Sequence, residues 1–251
     1  MELGFLCMQF ELKPYENEPI FRAIARVIEQ RIIGGALRPG DLLPAEMGLA
    51  EHLGVNRSSV REAIRLLEQN GLVAREPGKR KLRVTIPSGV DLSKVVSAAM
   101  VLRKVTFHNL WETMYALEPT AAAAAATRRD ESALVVIEAN LKKTEDALGD
   151  SRSLTSLDIE FHDLIAEAAK NGALELSRQP LSQVFYPAFY NVISRLSAGP
   201  RLLFAHRMIY AAVKGRDAAK AELWMQKHIR DFKRGYDLAR LDMERPIEIP
   251  T

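Results

Sequence analysis

Apolar residues recur at helical spacing along almost the whole of this 251-residue chain, and only Leu82-Arg83-Val84-Thr85-Ile86 alternates as a strand does. A shorter partner is read at Leu72–Arg75. Between the two, Glu76-Pro77-Gly78-Lys79 places Pro and Gly at the second and third positions of a turn, as type II geometry requires. The chain is therefore expected to be mainly α, with one small hairpin.

The length favours two domains, and the helices sort into two groups. Pro19 opens a first helix carrying Ile20, Ile24, Val27, Ile28 and Ile32, stopped by Gly34-Gly35. Arg38-Pro39-Gly40-Asp41 reads as a turn, and Pro44 as the first residue of a second helix that ends at Gly54. Asn56 caps a third, with Val60, Ile64 and Leu67 on one face. After Pro87-Ser88-Gly89 comes a joining helix around Asp91–Arg103, and from Phe107 to Leu241 the pattern is helical throughout. These helices are expected at 107–128, 131–148, 155–170, 173–195, 200–214 and 216–240, with kinks at Pro180 and Pro187. The run Ala121–Ala126 reads as a close helix-packing surface. The resulting division is an extension at 1–18, a helix-turn-helix unit with a wing at 19–87, a linker helix at 88–106 and a bundle of six to seven helices at 107–245.

Hydrophobic residues make up 47% and charged residues 27%, a balance suited to a folded core. No apolar run reaches the 18 residues of a membrane span, and Met1–Met8 lacks the positive start of a signal peptide, so the cytoplasm is expected. The single cysteine, Cys7, excludes internal disulfides and thiolate zinc frameworks, leaving any metal to the five His and the carboxylates.

The net charge of +3 is uninformative as an average. Its distribution is not: between 56 and 86, Arg57, Arg61, Arg65, Arg75, Lys79, Arg80, Lys81 and Arg83 face only Glu62, Glu68 and Glu76. In Leu49–Ile64, Ala50 lets two helices touch, Gly54 makes the turn and Val60 anchors the second helix. Opposite that anchor, Arg57, Arg61 and Arg65 recur every four residues, and arginine pairs with guanine or phosphate. Ser58 and Ser59 open the helix where hydroxyls and N–H groups meet phosphate, and Gly78, Lys79 and Arg80 form the tip of the wing. The plainer alternative is a solvated charged face.

Leu37-Arg38-Pro39-Gly40-Asp41-Leu42-Leu43-Pro44-Ala45-Glu46, with Leu49-Ala50, Gly54-Val55, Arg57, Val60-Arg61-Glu62-Ala63, Leu67-Glu68, Gly71-Leu72 and Gly78, resembles the GntR family of bacterial transcription regulators. The resemblance implies DNA contacts at Arg57 and Arg61, with Ser58, Ser59 and the wing. It departs at Met47, where the family commonly has arginine.

In the helical half, Asp158 and His162 stand one turn apart, and His206 and His228 lie on the apolar sides of their helices. A lone inward histidine is ordinarily a core residue, but four such groups buried together without an ion are costly. His52 and His108 lack such neighbours. Asp158-x-x-Phe161-His162, His206, and His228 after Gly215-Arg216-Asp217-x-x-x-Ala221 resemble the FCD ligand-binding domain of the FadR subfamily. That resemblance implies the four residues as ligands of a divalent ion, Zn²⁺, Ni²⁺ or Mn²⁺. Members often carry a clamping arginine where this chain has Met114. With Tyr186 and Tyr190, Met114 is the expected effector pocket, unless the aromatics are simply core.

The expectation is a homodimeric regulator, a repressor and not an enzyme, binding double-stranded operator DNA and a small-molecule effector, an organic acid, with no membrane partner. A metal sensor and a metal-dependent hydrolase are the alternatives, the latter lacking a separate base because Glu160 points away from the four residues.

Overall fold

The computed structural model describes residues 17–75, 81–87 and 89–248. The chain divides into two compact units at Asp91/Leu92. Among the described residues, no helix is long and apolar enough to cross a membrane.

The first unit holds α1 (Ile20–Ile33), α2 (Glu46–Leu53) and α3 (Arg57–Gln69). Three short strands join them: β1 (Leu42–Leu43), β2 (Val73–Arg75) and β3 (Leu82–Val84). The strands pair antiparallel in the order β1-β3-β2, with Leu43 opposite Leu82 and Val73 opposite Val84. Ile24 and Ile28 of α1, Leu49 of α2, and Val60, Ile64 and Leu67 of α3 close over Val73, Leu82 and Val84 in one core. Gly54 ends α2 in the left-handed region at φ 65°, which a side chain would disfavour, and Val55 N–H returns to the Ala50 carbonyl at 3.0 Å.

Two expectations need correcting. Pro44 does not open α2; the helix starts at Glu46, because β1 holds the preceding chain extended through Ala45. A two-residue strand has no readable alternation, so β1 left no signal. Asn56 does occupy the N-cap of α3, but its side chain makes no capping hydrogen bond.

In the second part of the chain, α4 (Gly89–Leu102) is followed by α5 (Phe107–Arg128), α6 (Glu131–Asp146), α7 (Ser151–Ala168) and α8 (Gly172–Phe185). A 3₁₀ turn at Tyr186–Phe189 leads to α9 (Tyr190–Leu196), α10 (Gly199–Lys214) and α11 (Ala218–Leu238). Thr106, Asp130, Asp150, Asn171 and Asp217 each cap the helix that follows through a side-chain oxygen. The expected single helix at 173–195 is in fact broken, and Pro187 accounts for it: it sits in the first turn of the 3₁₀ segment, where its missing N–H costs nothing. Pro180 remains within α8. Ala121, Ala122, Ala125 and Ala126 of α5 have no exposed surface, as a close-packing face requires. Met100, Val96 and Val101 of α4 join the core of the helical unit.

Candidate metal centre and nucleic-acid interface

Helix α3 separates packing from chemistry by its own periodicity. Val60, Ala63, Ile64 and Leu67 are buried, and Arg57, Arg61 and Arg65 are exposed on the other side. Arg57 Nε lies 3.4 Å from Glu46 Oε2, and the same carboxylate takes Arg75 Nη2 at 3.2 Å. Among the described residues, Arg61 and Arg65 have no carboxylate partner, so their charge is available. Ser58 is exposed and Ser59 half-buried in the first turn. Met47, the position at which the sequence departs from the resemblance, is exposed. Gly78, Lys79 and Arg80 lie outside the described residues.

The structure brings the four expected metal residues together. Asp158 and His162 come from α7, His206 from α10 and His228 from α11, and one ligand atom of each lies within 4.8 Å of all the others. All four are buried, and only His228 retains measurable exposure, at 3%. His228 Nε2 stands 3.2 Å from Nε2 of both His162 and His206. Asp158 Oδ1 is 3.2 Å from His206 Nε2 and 3.8 Å from the other two Nε2 atoms.

The three 3.2 Å edges suit neighbours around one ion. Ligands bound at about 2.0–2.1 Å stand about 2.8–3.0 Å apart in octahedral and about 3.3–3.4 Å apart in tetrahedral geometry. Both carboxylate oxygens of Asp158 are buried without a hydrogen-bond partner, a costly state that a cation removes. Burial pushes His206 down to about 3 and also lowers His228, so both present neutral nitrogens, the form that binds metal.

Behind His162 lies a network that residue spacing did not reveal. His162 Nδ1 is 2.9 Å from Glu118 Oε2, and Tyr186 Oη and Arg178 Nε each donate to Glu118 Oε1 at 2.7 Å. Arg178 Nη1 continues to Asp163 Oδ1 at 2.6 Å. Burial would raise the Glu118 carboxyl, yet Arg178 and His162 bring it down to about 2, so it is an anion. The Tyr186 ring stacks on His162 at 4.5 Å, and Phe161 stacks on His206 at 3.7 Å. Glu160 turns away, accepting from Asn140 Nδ2 at 3.1 Å. A readable signal for Glu118 existed: it is a lone acid on the apolar face of α5 that carries Leu110, Met114 and Ala121. Arg178 likewise interrupts the stripe of Leu174 and Phe185 on α8.

Comparison with known proteins gives both halves a place. Residues 21–81 match the model of the bacterial regulatory proteins of the gntR family, and residues 109–231 match the FCD domain. The HTH-type transcriptional regulator LutR of Bacillus subtilis (strain 168) is 30% identical over 213 residues, covering 82% of this chain and 97% of its own. The chain belongs to the GntR family. The Glc operon transcriptional activator of Escherichia coli (strain K12) is 27% identical over 228 residues, 87% of this chain and 89% of its own. A solved Streptococcus agalactiae GntR structure aligns with TM-score 0.62 at 26% identity, covering 85% of this chain and 99% of that one.

This GntR chain is thus a DNA-binding transcription regulator with an FCD domain. The FCD match contains Asp158, His162, His206 and His228, together with Glu118 and Arg178. Of the expected effector residues, Met114 and Tyr186 are fully buried, Tyr186 against His162. Tyr190 is 42% exposed at the start of α9 and takes no part in the aromatic cluster among the described residues. Phe185 and Phe189 pack with Phe107 and Phe232 as core.

Proposed function

We propose that this GntR regulator is a dimeric repressor of FadR type whose operator affinity is set by a small organic acid bound beside a divalent ion. Zn²⁺, Ni²⁺ or Mn²⁺ would be held by Asp158, His162, His206 and His228. The observation that carries this reading is the convergence of three buried imidazole nitrogens on an Asp158 carboxylate with no hydrogen-bond donor of its own. When bound, the ion supplies a Lewis-acid position for a carboxylate. The chain's own residues do the rest: Glu118 orients His162, Phe161 and Tyr186 wall the imidazoles from water, and Met114 and Tyr186, both buried, are the residues assigned to the effector.

On the DNA side, Arg57, Arg61 and Arg65 face the major groove, Ser58 and Ser59 meet phosphate, and Gly78, Lys79 and Arg80 reach the adjacent backbone. One such reading head contacts too few bases for tight specific binding, which favours a homodimer on a palindromic operator. An effector that prefers a conformation with the wrong half-site spacing releases the DNA.

A mobility-shift assay on the DNA upstream of its own coding region tests the linkage. The metal-loaded protein is expected to hold DNA until an organic acid is added. Release by metal alone would instead make the ion the signal. Elemental analysis of His206→Ala beside wild type tests the centre, and equal metal content in both refutes it. A reporter fused to the bound promoter, silent with the regulator and active without it, tests repression.

A further inference from the structure

The three imidazoles of the centre differ in what meets their outer nitrogens. His162 Nδ1 has the Glu118 carboxylate, and His206 Nδ1 is buried with no partner. His228 commits Nε2 to the centre, and among the described residues its Nδ1 has no hydrogen-bond partner either. Unlike the other two, His228 lines a surface cavity of about 380 Å³ between α10 and α11. That volume is within the range of small-molecule sites.

The walls of this cavity are selective. Phe204 and Trp224 meet edge to face at 5.8 Å, and Phe204 is 57% exposed, an apolar surface without a cover. Arg201 is neutralised by a two-point pair with Asp231, at 3.0 and 2.5 Å. Lys227 lies 4.4 Å over the Trp224 ring, and Arg230 donates to the Tyr115 hydroxyl at 2.7 Å. Among the described residues, neither of these two cations has a carboxylate partner, so the cavity keeps two uncompensated positive charges. Aromatic wall, spare cations and an unpaired imidazole nitrogen describe one ligand class: an organic carboxylate with a flat apolar body.

We infer that the cavity between α10 and α11 is a binding site for an aryl carboxylate. Its carboxylate accepts a hydrogen bond from His228 Nδ1–H beside Lys227 and Arg230, while its ring lies against Trp224 and Phe204. The ligand supplies to His228 the acceptor that Glu118 supplies to His162. A metal-bound imidazole with an anionic acceptor on its other nitrogen is a stronger ligand, so carboxylate in this cavity and metal in the centre reinforce one another. This coupling rests on the proposed metal reading; the carboxylate site itself does not.

Calorimetric titration of the full chain with benzoate, and with benzamide as the neutral counterpart, tests the site. Benzoate is expected to bind saturably, with benzamide at least tenfold weaker. Lys227→Glu and Trp224→Ala should each weaken benzoate at least tenfold. Ni²⁺ affinity, measured by chelator competition, should rise in saturating benzoate by the same factor by which Ni²⁺ tightens benzoate. Absence of saturable benzoate binding overturns the proposal. So does binding that requires Ni²⁺ and is indifferent to both substitutions, since that places the carboxylate on the ion. If wild-type protein takes up no Ni²⁺ yet binds benzoate through Lys227 and Trp224, the metal reading falls and the site stands.

Discussion

His162 Nδ1 and Glu118 Oε2 stand 2.9 Å apart, and neither side chain has any exposed surface. The contact decides which imidazole nitrogen carries the proton. With Nδ1–H donated to an anionic carboxylate, the Nε2 lone pair faces Asp158, His206 and His228. Arg178 balances the Glu118 charge from α8, and together they would aim His162 as the ligand proposed for it.

Replacing Glu118 with Gln keeps the size and removes the charge. Metal affinity measured against a competing chelator is expected to fall about 10–100-fold. Unaltered affinity would reduce Glu118 to a packing residue.

On the face proposed to meet DNA the three arginines are not equivalent, because Arg57 shares its charge with Glu46 while Arg61 has no acid among the described residues. Arg61→Ala should therefore cost more operator affinity than Arg57→Ala, by about 1–3 kcal/mol if Arg61 reads a base. If Arg61 meets phosphate instead, the loss is the same on any sequence and the slope of log affinity against log salt drops by about 1. Retention of full affinity by Arg57→Ala plus Arg61→Ala contradicts both.

Acid should unfold the metal-free protein, and the sign follows from two classes of group. His206 is depressed to about 3 from an ordinary 6.5, with burial the largest cause, and His228 moves the same way. The unfolded chain therefore takes protons first, and stability present above pH 6.5 is lost as pH falls toward 3. Glu118 is held at about 2 against an ordinary 4.5, which adds a loss below pH 4.5 in the same direction. Urea midpoints at pH 7.5, 6 and 5 should decline in order; a flat series refutes the assignment of neutral, buried histidines.

A steric test of the bundle is available at Gly235 on α11, where an added Cβ would stand 2.6 Å from Val192 Cγ1 of α9. Gly235→Ala is expected to cost about 1–3 kcal/mol by overpacking. That lowers Tm by roughly 2–4 °C per kcal/mol in a chain of this size. Gly149→Ala, with nothing within 4 Å, serves as the control and should leave Tm unchanged.

Much of the architecture was legible because it follows from local periodicity. The span of α5 was readable to the residue from Phe107 to Arg128, since its cap at Thr106 and its apolar stripe are properties of neighbouring positions. Three of the four centre residues stood out as histidines on apolar faces, and the fourth as an aspartate one turn from His162. Where the reading failed, the deciding contact was distant in sequence. Strand β1 exists because Leu42 and Leu43 pair with Arg83 and Leu82, and that pairing moved the start of α2 past Pro44. Tyr190, four residues after Tyr186, shares neither its burial nor its contact with His162, because the 3₁₀ turn around Pro187 interrupts the helical register between them.

Sequence alone determined which side chains point inward, because a helix repeats every 3.6 residues and an apolar face must be buried. Only the tertiary structure decided what those side chains meet. That Glu118 reaches His162 across 44 positions, Arg178 reaches Glu118 across 60, and His228 alone of the three imidazoles borders a cationic aromatic cavity depends on how separate helices pack. Periodicity within one helix carries no information about the facing helix.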